Sequence, residues 1–177
     1  MSLLESTAPD FSDPLGLLSA CHQRMLGFCE LLERLDPWLT AHGIDKDATD
    51  SAQRLLRYFN TAGELHHQDE EIDLFPMLSK DDALKSLIDR LRAEHRELEQ
   101  HWAALASELE GLLKGRHRQA ELHNALVPFC AAYRRHIHDE EHELLAQAKS
   151  LLDREQLRRL GESMAARRRP GGVSPTE

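Results

Sequence analysis

Two short segments of the sequence combine histidine and glutamate at a spacing that suits a metal site. His66 is followed four residues later by Glu70, and the pair recurs seventy residues further on as His136 and Glu140. On a helix this spacing stacks the imidazole and the carboxylate on one face, about 5–6 Å apart at Cβ. Two such pairs on two helices predict a metal centre.

Two further histidines lie on apolar stripes of their own. His22 and His95 each fall among leucines that repeat at threes and fours, as on the buried face of a helix. Each half of the chain therefore contains a single histidine on one predicted helix, then a turn, and then a His-x-x-x-Glu pair on the next helix. A buried polar group without a partner costs about 1–3 kcal/mol. Four histidines at one level of a core need partners, and a metal supplies them.

The stripes belong to four long amphipathic helices and a shorter fifth. The first is expected to begin at Pro14, with Ser12 or Asp13 as its N-cap. Pro37, which follows an aspartate, is expected to kink or end this helix, and Gly43 to close the segment.

The later helices follow from the same signals. The second is expected to begin between Asp45 and Asp50 and to end near Pro76, and the fourth to resume around Arg118 and to bend at Pro128. No alternating run of β-branched residues occurs. The sequence predicts an all-α fold, an up-down-up-down four-helix bundle with a short C-terminal fifth helix.

The domain organisation expected from these boundaries is simple, since 177 residues suit one domain. We expect a disordered arm over residues 1–12, the bundle over 13–152, the short helix over 153–167 and a disordered tail over 168–177.

Composition narrows the classes of function. The formal net charge of −9 argues against a nucleic-acid partner. The N-terminus has neither a basic start nor an apolar run of signal-peptide length, and no stretch is apolar enough for a membrane span. A cytoplasmic protein is expected. Its three cysteines are then expected to be free thiols.

The motifs together resemble the hemerythrin-like family of HHE cation-binding proteins. The resemblance covers residues from about 14 to 150 and is carried by four segments, CHQRML around His22, HHQDEEIDLFP, Glu94-His95-Arg96 and RRHIHDEEHELL. It implies a non-haem diiron centre, with two iron ions joined by an oxo or hydroxo bridge, held by histidines from all four helices and bridged by two carboxylates.

Carried over residue by residue, the resemblance implies a ligand set. His22 and His66 would bind one iron and His95 and His136 the other, with Glu70 and Glu140 as bridges. Those six residues share the family's spacing.

Glu99 departs from the pattern of the oxygen carriers, which usually place a histidine one turn after the third-helix histidine. In this respect the chain is similar to the branch that repairs iron–sulfur clusters and responds to nitric oxide. As a ligand, Glu99 would add negative charge and lower the reduction potential. If it points away, one iron keeps an open position for water, oxygen or nitric oxide.

The register within each doublet has two readings. His67 and Glu71 also satisfy the spacing, but aligning the leucine after each acidic run favours His66 and Glu70. Solvent exposure or hydrogen bonding to a ligand is then expected for the off-face residues, His67, Glu71, His138, Glu141 and His142. The remaining histidines, His42, His101, His117 and His123, have no partner spacing and are expected at the surface or core edge.

Three aromatic residues on the same stripes are expected near the irons. Phe59, Trp102 and Tyr133 would exclude water and shape access, with ordinary core packing as the alternative. The Tyr133 hydroxyl could bond to a ligand or to a bound oxygen species.

Three classes of function fit these residues. The first is a diiron protein that binds oxygen or nitric oxide for sensing or stress protection. The second is a diiron enzyme of cluster repair or of nitric-oxide or peroxide reduction, and a redox partner protein would accompany it. Ferritin-like iron storage is less favoured, because Glu64 and His67 fit its Glu-x-x-His motif but the fourth helix offers only Asp139 and His142. The oligomeric state is left open.

Overall fold

A computed structural model describes residues 9–169, and every regular element within that range is helical. The five helices are α1 (Pro14–His42), α2 (residues 46–78), α3 (Lys85–Leu113), α4 (residues 119–151) and α5 (Arg154–Arg167). Most of the predicted arm and tail, residues 1–8 and 170–177, lies outside the described range.

The ends of α1 follow the predicted capping signals. Asp13 is the N-cap, and its carboxylate accepts a hydrogen bond from the backbone of the first turn, with Pro14 at the first helical position. Gly43 ends the helix with φ of 72°, and its N–H donates to the Leu39 carbonyl at 2.9 Å. The expectation that Pro37 could end the helix is wrong. The helix continues to His42, because buried leucines on both sides of the proline keep it packed.

Two of the long helices contain π turns, in which backbone hydrogen bonds join residues five apart rather than four. In α2 the α-helical parts alternate with two such turns, in the order Lys46–Tyr58, Phe59–Gly63 (π), Glu64–Gln68, Asp69–Leu74 (π) and Phe75–Leu78. In α4 the order is Gln119–Asp139, Glu140–Leu144 (π) and Leu145–Leu151. Each extra residue rotates the next part of the helix about its axis, so the apolar stripe changes face at these points.

The other helices also begin at capping residues or short turns. Asp45 caps α2, and a short 3₁₀ turn over Asp82–Leu84 leads into α3 after Asp81. Pro128 lies inside α4 without ending it. Asp153 caps α5 through a reciprocal pair of hydrogen bonds with Gln156.

Two apolar clusters fill the interior, and polar residues separate them. One cluster runs from Met25 through Phe129 to Ile137, and the other contains Leu18, Phe75 and their neighbours. Along every long helix the chain passes from one cluster to the other at a buried histidine or, on α4, at the buried Glu140 that follows His136. The fold therefore places a polar layer in the middle of an otherwise apolar core.

The fifth helix packs against α1 and the second π turn of α2. Its Gly161 is required by a close approach, because a Cβ there would lie 2.0 Å from the Phe11 carbonyl oxygen. Near its end, Arg167 and Arg168 bind the fully buried carboxylate of Asp69. Helix α5 is thereby fastened to the segment that carries the histidine–glutamate pair of α2.

No helix within residues 9–169 is long and apolar enough to cross a membrane.

Candidate metal centre

The polar layer is built from four histidines and two glutamates, each at most 2% exposed. The six are His22 on α1, His66 and Glu70 on α2, His95 on α3, and His136 and Glu140 on α4. The structure thus brings together six of the seven residues that the sequence proposed, in the preferred register.

The histidines face one another in two pairs. Nε2 of His22 lies 3.0 Å from Nε2 of His66, and Nε2 of His95 lies 3.1 Å from Nε2 of His136. Each pair joins helices of one half of the chain, so the sequence repeat appears as two similar halves of one centre.

The two glutamates lie between those halves. Glu70 places one carboxylate oxygen 3.2 Å from Nε2 of His66 and the other 3.4 Å from Nε2 of His95. Glu140 places one oxygen 3.1 Å from Nε2 of His22 and the other 3.3 Å from Nε2 of His136. Each carboxylate therefore spans both histidine pairs, as a bridging ligand must.

Candidate ligand atoms within 4.8 Å of one another form two clusters that share both glutamates. One consists of His22, His66, Glu70 and Glu140, and the other of His95, His136, Glu70 and Glu140.

Unsatisfied atoms test whether metal ions fit this layer. All four carboxylate oxygens of Glu70 and Glu140 are buried, and within the described part of the chain none accepts a well-formed hydrogen bond, although imidazole nitrogens lie 3.1–3.4 Å away. Burying such groups unpaired is costly unless a cation compensates. Imidazole nitrogens and carboxylate oxygens form a mixed donor set that suits non-haem iron. The residues fit a pair of metal ions.

Three outer carboxylates orient the imidazoles. Nδ1 of His22 donates to Glu141 at 2.6 Å, Nδ1 of His95 to Glu71 at 2.7 Å, and Nδ1 of His136 to Glu94 at 2.9 Å. A proton held on Nδ1 leaves the Nε2 lone pair free to face the centre.

Only part of this outer set was predicted. Glu71 and Glu141 have the expected hydrogen bonds to candidate ligands. The contact of Glu94 was not predicted, because its partner His136 is on another helix and no spacing relates the two.

The electrostatics of the centre favour positive charge. Burial opposes ionisation of Glu70 and Glu140, yet the neighbouring histidines hold the pKa of each carboxyl well below its usual range. Burial likewise disfavours the charged imidazole, but the negative charge of Glu70 raises the pKa of His66 to about 9. The pKa of His22 is also raised despite burial, by Glu140 and Glu141. Two buried negative charges thus hold protons on the histidines, and cations could take the place of those protons.

Glu99 lies apart from the centre. It is exposed and belongs to neither cluster. It lines a cavity of about 570 Å³ between α2 and α3, together with the three aromatic residues expected near the site, Phe59, Trp102 and Tyr133. The indole N–H of Trp102 donates a hydrogen bond to the side chain of Asn60 at 2.7 Å, and both residues line the cavity.

His67 does not follow the expectation for an off-face residue. It is half-buried, and a nitrogen of its ring groups with those of His95 and His136 in a third cluster within 4.8 Å. The other off-face histidines, His138 and His142, are exposed and lie against each other. Sequence reasoning missed His67 because the spacing rule assigned it to the alternative register.

The chain is similar in sequence to a known family and to a protein of another organism. The family model described as hemerythrin HHE cation binding domain matches residues 13–148. A protein of Haemophilus influenzae (strain ATCC 51907 / DSM 11121 / KW20 / Rd), described as an uncharacterized protein, is 35% identical over 159 residues, which cover 89% of this chain and 91% of the relative.

Proposed function

The chain belongs to the hemerythrin family of HHE cation-binding domains, and on that premise we propose that it is a non-haem diiron protein that binds oxygen or nitric oxide for sensing or stress protection. One observation carries the proposal. Glu70 and Glu140 each belong to both clusters of candidate ligands, so one pair of carboxylates can serve two adjacent ions.

The proposed assignment of ligands keeps the two halves separate. His22 and His66 hold one iron, and His95 and His136 hold the other, with both glutamates as bridges. Each ion then has four protein donors from this set, and it shares two of them, the glutamates, with the other ion. A tetrahedral zinc site needs four donors and would not have to share any of them. Non-haem iron is commonly held by imidazoles and carboxylates with positions left open for a small ligand.

The proposed arrangement of helices is up-down-up-down. The apolar clusters support it, because α1 and α3 pass from the cluster around Leu18 to the cluster around Phe129, whereas α2 and α4 pass in the opposite order. An alternating bundle brings a mid-helix residue of every long helix to one level.

When bound, the iron pair would supply a change of oxidation state and an open coordination position. The chain supplies the rest. Glu71, Glu94 and Glu141 fix the orientation of three imidazoles and increase their basicity. The apolar clusters on either side keep bulk water away from the carboxylates.

A binding experiment tests this function. Iron-loaded protein, reduced under anaerobic conditions, is mixed with oxygen or nitric oxide while its absorbance spectrum is recorded. We expect a new charge-transfer spectrum with at least one of the two gases, and none in Glu140→Ala, which removes a bridge. A loaded and reduced protein whose spectrum responds to neither gas would contradict the proposal.

A diiron enzyme of nitric-oxide or peroxide reduction is the second candidate. The cavity of about 570 Å³ favours it, because a diatomic ligand alone needs far less room. Catalytic consumption of nitric oxide or peroxide under anaerobic reductant, beyond one equivalent per centre, would distinguish this enzyme from a binding protein. Such turnover would also require an electron donor, for which we propose a redox partner protein.

The proposed setting is the cytoplasm, without a nucleic-acid partner. The net charge of −9 supports the second part of this proposal, because anionic chains are repelled by phosphate backbones.

A further inference from the structure

The two bridging glutamates lie in matching acidic segments, residues 69–73 and 139–143. In both segments an aspartate comes directly before the bridging glutamate, and a second acidic residue comes three residues after it. Within residues 9–169 none of these four flanking residues belongs to a cluster of candidate ligands. Their carboxylates therefore have another role beside the centre.

Arginines at the end of α5 bind the two acidic residues that flank Glu70. The carboxylate of Asp69 is fully buried and binds Arg167 and, at 2.6 Å, Arg168. Arg167 also binds Asp73 at 2.6 Å. Two guanidinium groups from one helix thus hold the segment of α2 on both sides of its bridging glutamate.

An arginine of α3 makes the corresponding contacts around Glu140. One terminal nitrogen of Arg90 binds Asp139, and the other lies 3.5 Å from the carboxylate of Glu143. The contacted positions are the same as around Glu70, one residue before the bridge and three after it. The arginines come from different helices, so the two halves of the centre share the contact and not the helix that supplies it.

The contacted segments coincide with the π turns Asp69–Leu74 and Glu140–Leu144. Such turns are rare in helices and occur often at functional sites. The added residue changes the direction of the side chains that follow, and each bridging glutamate lies in its π turn. A carboxylate that serves two ions must hold both of its oxygens in place, so contacts that fix the turn also fix the bridge.

Simple attachment of neighbouring helices is the alternative role for these contacts. Helix α5 already has buried apolar residues, Leu160 and Met164, that hold it against the bundle. A buried ion pair adds little net stability, because removing its charges from water offsets their attraction. Attachment alone also gives no reason for the same two positions to be bound in both halves, whereas the bridging glutamate is common to both.

We propose that Asp69 and Asp139 are positioning residues, which fix the directions of Glu70 and Glu140 through arginines of neighbouring helices. This inference rests on the proposed two-ion centre. Because each glutamate serves both ions, loosening either π turn weakens both ions together. The effect is larger at Asp69, whose side chain is 0% exposed against 14% for Asp139.

The test is an anaerobic titration of the full-length, metal-free chain with Co²⁺, whose visible d–d bands report its coordination geometry. Wild type is expected to bind two ions. In Asp69→Asn and in Asp139→Asn we expect both ions to bind about tenfold or more weakly, with altered d–d bands. Asp139 is changed rather than Arg90, because Arg90 also lies 3.5 Å from Glu94.

Asp50→Asn is the matched control on α2. Asp50 is exposed and pairs with Lys46 one turn earlier, so this variant should bind Co²⁺ as wild type does. Far-UV circular dichroism checks that each metal-free variant is folded. If Asp69→Asn does not fold, Arg167→Gln removes contacts to Asp69 and Asp73 while Arg168 still binds Asp69, and it should weaken both ions in the same way.

The outcomes separate this inference from the function on which it rests. Wild-type affinities and d–d bands in either folded aspartate variant would overturn the positioning role and leave the two-ion centre intact. A lower free energy of unfolding with unchanged Co²⁺ binding would likewise mean that the contacts only attach helices. Equal weakening in Asp50→Asn would overturn the proposal as well. Wild-type protein that binds fewer than two ions would overturn the centre itself.

Discussion

At the level of single residues, the centre depends on carboxylates that have no other partner. Glu70 and Glu140 are fully buried, and histidine nitrogens lie close to their oxygens, at 3.2 Å for His66 and 3.3 Å for His136. In the proposed centre each of these residues binds both ions, so its removal weakens both. Removing a histidine takes one of two imidazoles from its ion, and the bridged centre as a whole is expected to lose iron.

Substitutions in the centre should be separable by their effect on iron content. We expect His66→Ala and Glu140→Ala each to lose most of the bound iron, because each deletes a donor that the packed core cannot replace. His123→Ala is the control, since His123 is exposed and its Nδ1 pairs with Asp36, away from the centre. Iron per chain is measured by elemental analysis, and equal iron in all three variants would refute the site.

The sequence identified the six residues of this layer because helical spacing relates every histidine to a leucine stripe. It did not identify Glu94, which pairs across two helices, nor the burial of His67. Spacing along one helix carries no information about which face a neighbouring helix will cover. Contacts between side chains of different helices could therefore not be predicted from the sequence.

At the level of elements, the π turns and α5 determine the direction in which His66 and Glu70 of α2 face. Both π turns that come after the histidines begin at or beside a glutamate of the centre, one over Asp69–Leu74 and one over Glu140–Leu144. A regular period of 3.6 residues cannot reveal them, because the added residue is visible only in the backbone hydrogen bonds. Asp13, one of the two N-caps predicted for α1, is the N-cap in the structure, and such caps can be predicted because a capping side chain acts on its own turn.

Helix α5 should contribute to stability mainly through Asp69. This carboxylate is fully buried and binds Arg167 and Arg168, so Asp69→Ala leaves Arg168 without its carboxylate and leaves Arg167 with Asp73 alone. We expect the free energy of unfolding to fall by about 2 kcal/mol, measured by urea denaturation of the metal-free protein.

The matched control lies at the other end of the same helix. Glu155 forms ion pairs with Arg158 and Arg159 on the surface, and Glu155→Ala should leave the free energy of unfolding nearly unchanged. Equal effects of the two substitutions would mean that the contact between α5 and α2 is not a specific stabilising element.

At the level of the whole molecule, two apolar clusters enclose one layer of charge. The fold was predictable as an all-helical chain because four long stripes and few β-branched residues leave no alternative pattern. The position of α5 was not, since the contact between residue 69 and residues 167–168 joins distant parts of the chain without any periodic signal.

The enclosed charge predicts a dependence of metal binding on pH. In the metal-free protein the pKa of His66 is raised to about 9 by Glu70 against the effect of burial, so its imidazole carries a proton at pH 7. A metal ion must displace that proton, and metal affinity should rise as the pH increases from 6 towards 9. Calorimetric titration with Co²⁺ in buffers of different ionisation enthalpy should show proton release at pH 7. Binding enthalpies that do not depend on the buffer would contradict the claim that metal binding displaces a proton from His66 at pH 7.

The most direct test of the central claim is Mössbauer spectroscopy of the air-oxidised protein reconstituted with ⁵⁷Fe, combined with an iron determination on the same sample. We predict two ferric ions per chain with a diamagnetic ground state at low temperature, because ions that share bridges couple antiferromagnetically. One iron per chain, or ferric ions that are magnetically independent, would contradict a centre bridged by Glu70 and Glu140.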